Sequence, residues 1–187
     1  DDLSRIEDND GWKLSMRASD ENGAAGSDLI TVGLSEDATD DFKYGEDEFD
    51  LPDPMIDSYV DLFVKNIDWL GREDINGNMV ESPYFAADIR AIPEMDDMQV
   101  WNISGVAHNL IGDVELTWSM DELDEAYNVY LVVNSEAFNM REEKAVTVSQ
   151  DDLSDMTILV GSGNLGLGSV DIPEVFSLSA AFPNPFN

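Results

Sequence analysis

The amino-acid sequence predicts an all-β fold: an antiparallel β-sandwich, jelly-roll or immunoglobulin-like, with long acidic loops and little helix. Three observations point there. Apolar and polar residues alternate with a period of two in many short runs. Clusters of Gly, Asn, Asp and Pro, the residues that supply turn conformations, separate the runs. Only "DELDEAY" (121–127) invites a helical turn.

In chain order, "WKLSMRA" (12–18) sets Trp12, Leu14, Met16 and Ala18 on one face and Lys13, Ser15 and Arg17 on the other, the pattern of a half-buried strand. Similar runs follow at "DLITVG" (28–33), "SYVDLFV" (58–64), "YFAADIRA" (84–91), "MQVWNISG" (98–105) and "DVELTWSM" (113–120). The last are "YNVYLVV" (127–133), "EKAVTVS" (143–149) and "MTILVGS" (156–162). Short strands at this spacing are the signature of a sandwich. Trp12, Trp101 and Trp118 fall mid-strand and are expected in the core, whereas Trp69 follows a strand and fits core or surface. The stretch "GLSEDATDDFKYGEDEFDLPDP" (33–54) is a long acidic loop, and such loops within a compact domain are either functional or disordered. From about Gly161 the chain turns rich in Gly, Ser and Pro. The expected organisation is one sandwich domain over 1–165 and a linker over 166–187 that holds an edge strand, "EVFSLSA" (174–180).

The charge is extreme: 9 basic residues against 41 acidic ones give −32. Nucleic acid and anionic membrane surfaces are excluded as partners, because both need a cationic footprint. No apolar stretch reaches the roughly 18 residues that span a bilayer, so no membrane insertion is expected. Like charge at this density opposes compaction. Bound divalent cations or a salty habitat would offset it. The chain has no cysteine, which suits a protein that relies on metals in place of disulfides as well as one that simply lacks them. It begins at Asp1, as a mature product whose leader has been removed would, and as any cut of a longer chain would.

The stretch "FSLSAAFPNPFN" (176–187) resembles the start of the C-terminal sorting domain of type IX secretion substrates, where a linker runs into a "YPNPFNP" motif. Phe182 stands where that motif more often has Tyr, and the sorting tail itself is absent. The acidic loop and "ADIR" (87–90) are also similar to stretches of large secreted proteins from the same kinds of bacteria. The resemblance implies an extracellular or cell-surface location in a Gram-negative bacterium. It implies no activity, since such tails are carried by enzymes, adhesins and structural proteins alike.

Calcium takes six to eight hard oxygen ligands from flexible loops, which makes the acidic clusters the candidate sites. Asp37, Asp40, Asp41, Glu46, Asp47 and Asp50, with Gly45 to bend the chain, form the first; Asp8 and Asp10, in "EDNDG", form the second. "DINGN" (74–78) departs from the calcium-loop pattern and reads more simply as a hairpin turn. Catalytic signals are lacking. His108 is the only histidine, no Gly-x-Ser-x-Gly elbow or phosphate-binding loop occurs, and so many acids make a carboxylate pair uninformative. The expectation is a non-catalytic extracellular structural subunit: a homo-polymer formed through strand edges or terminal segments and stabilised by Ca2+. The alternative is a calcium-stabilised module for polysaccharide or adhesion, with Tyr44, Phe49, Trp69, Tyr84 and Phe85 as candidate platform residues.

Overall fold

The computed structural model describes residues 11–162, apart from 24, 53–55, 75, 76, 95 and 96, together with Leu165. In chain order the strands are β1 (Trp12–Asp20), β2 (Ile30–Ser35), β3 (Glu48–Phe49), β4 (Tyr59–Lys65), β5 (Tyr84–Ala91) and β6 (Met98–His108). They continue with β7 (Val114–Met120), β8 (Tyr127–Val133), β9 (Glu136–Asn139), β10 (Ala145–Val148) and β11 (Met156–Ser162). Helical structure among the described residues is confined to single 3-10 turns at Ile67–Trp69 and Asp151–Ser154.

The strands form one sheet of order β10-β7-β1-β2-β5-β4-β6-β11-β8-β9, with β3 paired to β5 beside this path. The sheet doubles over into a sandwich that is nearly closed. The first five strands and the last five turn their apolar faces onto a single core that includes Trp12, Trp101 and Trp118. The fold into two layers occurs between β5 and β4, which share only the pairs Val64↔Phe85 and Lys65↔Tyr84. Alternation is realised residue by residue. Trp12, Leu14, Met16 and Ala18 of β1 are buried, as are Val114, Leu116 and Trp118 of β7, while Lys13 and Arg17 face solvent.

Every run expected within the described residues is a strand, and four differences have local causes. The sheet is mixed: β2 pairs with β5 in parallel, Thr31↔Ala87 through Ser35↔Ala91. The chain passes through β3 and β4 between those two strands, and a crossover of that length is what a parallel pair requires. β9 was hidden in "NSEAFN", because its turn uses Asn134 and Ser135 at φ 47° and 67°, a type I′ geometry without the usual Gly. The helical turn suggested at 121–127 is an irregular turn. The Asp124 carboxylate accepts the Ala126 N–H at 2.8 Å, and its carbonyl accepts the Tyr127 N–H at 3.0 Å, local bonds that compete with helix. The acidic loop is anchored to the core through Ala38 and Phe42, which are buried, while Glu36, Asp37, Asp40 and Asp41 stay exposed. Gly33 lets β1 and β5 approach β2 closely: a Cβ there would lie 2.6 Å from the Trp12 carbonyl and 2.8 Å from Ile89 Cδ1.

Candidate functional site

The fold brings a polar cleft and a buried charge cluster together at the β4–β5 corner. Asp88 is fully buried on β5, and Arg90 grips it with two parallel bonds, Nε to Oδ1 and Nη2 to Oδ2, each 2.8 Å. A carboxylate out of water needs such a partner, and the planar guanidinium supplies it bidentately. Arg90 Nη1 also donates to the Val100 carbonyl at 2.8 Å, and its guanidinium carbon lies 5.3 Å from the Trp101 ring centroid. Asn66 Nδ2 donates to Asp88 Oδ2 at 3.3 Å, and Trp101 Nε1 donates to the Asp88 carbonyl at 3.2 Å. This cluster ties β4, β5 and β6 to one another. Sequence reasoning missed it. The available signal was an acid and an Arg two residues apart on one face of an otherwise apolar run, "ADIR".

Above the cluster opens a cleft of about 540 Å³. Lys65, Asn66, Arg72, Arg90, Gln99 and Asn102 are among the residues that line it. The register places Lys65 opposite Asn102 and Asn102 opposite Thr157, a cross-strand row over β4, β6 and β11.

The acidic loop borders this cleft, and Asp40, Asp41, Glu46 and Asp47 bond to protein donors. Asp40 Oδ1 accepts from Gln99 Nε2 at 2.9 Å, and Asp41 Oδ1 pairs with Arg72 Nη1 at 3.2 Å. Glu46 Oε1 pairs with Lys43 Nζ at 3.0 Å; its Oε2 is buried and has no partner among the described residues. Asp37 is exposed and Asp50 is half-buried. Asp47 is 1% exposed. It accepts the Ile89 N–H at 2.8 Å and the Lys43 N–H at 2.7 Å, so its carboxylate continues the β3–β5 ladder one step beyond Glu48↔Ala87. Burial above all pushes the Asp47 carboxyl from 3.8 up to about 7. The two N–H donors oppose that rise, and the charges of Asp88 and Glu46 reinforce it. No group of three or more His, Asp or Glu side chains able to hold one metal ion occurs among the described residues. Asp8, Asp10 and residues 176–187, on which the resemblance to a sorting-domain linker rests, lie outside the described residues, as does the edge strand expected at 174–180.

The platform residues separate. Trp69 (1% exposed) and Phe85 belong to the core, in edge-to-face contact at 5.0 Å, and Phe49 stacks on Phe85 at 5.3 Å. Phe42 joins them, and Trp69 Nε1 donates to the Asp40 carbonyl at 2.9 Å, which anchors the acidic loop. Tyr84 lies against Phe63 with centroids 4.5 Å apart and stays exposed, as does Tyr44, which is 69% exposed. His108 ends β6 and stacks on Tyr59 at 5.2 Å. At "DINGN", Asp74 accepts from the Asn78 backbone at 2.7 Å and from its side-chain amide at 2.9 Å, closing a turn with Gly77 at φ 82°.

The opposite side of the sandwich is open and carries the end strands β9 and β10. The crossing between them is pinned from inside. Trp118 Nε1 donates to the Met140 carbonyl at 3.0 Å, and Arg141 donates to the carbonyls of Tyr127, Leu123 and Asp124. The Asn139 carbonyl takes the N–H groups of Glu142 and Glu143, so the chain itself covers that end of β9. β10 differs. The Trp118 N–H donates to the Lys144 carbonyl at 3.2 Å, so residues 144 and 146 face β7 while Ala145 and Thr147 direct their backbone groups away from the sheet. No strand pairs with that edge among the described residues.

No known protein family, no curated protein and no solved structure matches the chain.

Proposed function

We propose that this chain is a non-catalytic extracellular structural or surface protein whose subunits self-associate through sheet edges, with calcium bridging their acidic surfaces. The observation that carries the reading is the outward edge of β10. "AVTV" is rich in strand-forming residues, contains neither Pro nor charge, and offers the N–H and C=O groups of Ala145 and Thr147 to a further strand. A second copy, or a terminal segment of one, would add there by strand augmentation. An edge of four residues gives a weak contact, and −32 per chain opposes it. Calcium supports assembly here by screening and by joining carboxylates of two subunits. The exposed Glu36 and Asp37 are among the carboxylates that face outward for it. The extracellular location rests on the resemblance of residues 176–187 to the sorting-domain linker.

The test is sedimentation velocity of the chain over a range of concentration, in millimolar calcium and again with a chelator. The reading expects concentration-dependent growth in calcium that reverses on chelation. A monomer at the highest concentration in calcium would contradict it.

A further inference from the structure

We infer that the corner cleft is a binding site for a neutral polyhydroxylated ligand, a short stretch of polysaccharide held by hydrogen bonds rather than by aromatic stacking. The inference is separate from self-association, since the cleft lies at the β4–β5 corner and not at β9 or β10.

Four observations carry it. The cleft, at about 540 Å³, has the size of a small-molecule site, for which about 300–1,000 Å³ is usual. Its charge is nearly balanced in a molecule that is not. Three of the chain's nine Lys and Arg residues, Lys65, Arg72 and Arg90, line it, facing four carboxylates, those of Asp40, Asp41, Asp68 and Asp155. A cation would meet the three bases and an anion the four acids, so neither is favoured there as it would be in a site of one sign. Donors and acceptors are interleaved and unused: the side chains of Lys65, Asn102, Asp68 and Asp155 have no hydrogen-bond partner among the described residues, and Gln99 keeps its carbonyl oxygen. Finally, the floor is held rigid. Arg90 is locked on Asp88 and on the Val100 carbonyl, and the Asn102 row is fixed by strand register, so little ordering remains to oppose binding.

Hydroxyl groups that both donate and accept suit such a surface, whereas an apolar ligand would leave its polar atoms unpaired. The one ring lining the cleft among the described residues, Trp69, is buried with its indole N–H bonded to the Asp40 carbonyl, so stacking contributes little. Weak binding that gains from repeated contact along a polymer follows.

The experiment is affinity electrophoresis, with chelator present to keep the chain unassembled, in gels containing dextran, glucomannan, xyloglucan or galactan. Alginate and chitosan gels serve as anionic and cationic comparators. The expected result is retardation by at least one neutral polysaccharide, with affinity falling about tenfold in the Lys65→Ala/Asn102→Ala variant. Both substituted side chains are partnerless, so the fold is retained, which near-ultraviolet circular dichroism checks. Thr147→Pro, at the sheet edge, leaves the retardation unchanged. Mobility unaffected by all four neutral polymers overturns the inference. So does retardation that survives the double substitution, or retardation by alginate or chitosan alone.

Discussion

The two lateral sides of the sandwich solve the same problem differently. At the β4–β5 corner the layers are joined by backbone pairing, and the site is consolidated with buried charge: Asp88 held by Arg90, and Asp47 standing in for a rung of the β3–β5 ladder. At the β9–β10 side the layers are joined by a crossing chain pinned by Trp118 and Arg141, and one strand edge is left unpaired among the described residues. Buried charge costs desolvation and is tolerated only when fully paired, so it fixes a single arrangement. A free edge costs little within one molecule but leaves backbone groups for another. On the functions proposed above, stability and ligand positioning fall to one side and association to the other.

The sharpest way to break that assignment is Arg90→Leu, which strands the Asp88 carboxylate in the interior. A loss of about 3–5 kcal/mol is expected in urea unfolding, and Asp88→Asn in the same chain should recover part of it. Next is the pH dependence at Asp47. Its folded-state value of about 7 lies above the ordinary 3.8, so the folded state holds more protons between the two. Its contribution is present in full below about pH 4 and is lost as pH rises through about 7, a change of at most about 4 kcal/mol. Unfolding measured from pH 4 to 8 should show Asp47→Asn lacking this fall. On the open side, Trp118→Phe leaves the Met140 carbonyl unpaired and should cost about 1–3 kcal/mol by thermal or urea unfolding. The smallest stability effect belongs to the free edge. Thr147→Pro removes an N–H that faces away from β7, so it should cost about 1 kcal/mol or less while reducing calcium-dependent association in sedimentation.

The β-sandwich was legible because burial is enforced by alternation. β1, β7 and β8 each read correctly from their apolar positions, and β5, β8 and β11 fall on the expected residues. β3 and β9 were not legible. A two-residue strand has no periodicity, and the Asn134-Ser135 turn lacks the Gly that normally marks it. The parallel β2–β5 pair was hidden because alternation reports faces, not strand direction. The acidic loop was visible as a feature, yet its residues divide. Asp47 is a buried structural acceptor, Asp40 and Asp41 meet Gln99 and Arg72, and only the folded chain reveals which is which. The cleft gathers Lys65, Arg72, Arg90 and Asn102 from distant segments, and only strand register brings them together.

The division of labour between the two sides is tested most directly by amide hydrogen exchange, read residue by residue on the chelated chain and on the calcium-treated chain. The account predicts that the Ile89 amide, bonded to Asp47, is protected in both states. It predicts that the Ala145 and Thr147 amides exchange freely with chelator and become protected in calcium at concentrations where particles form. Protection of Thr147 in the chelated monomer, or free exchange at Thr147 within assembled particles, would contradict it.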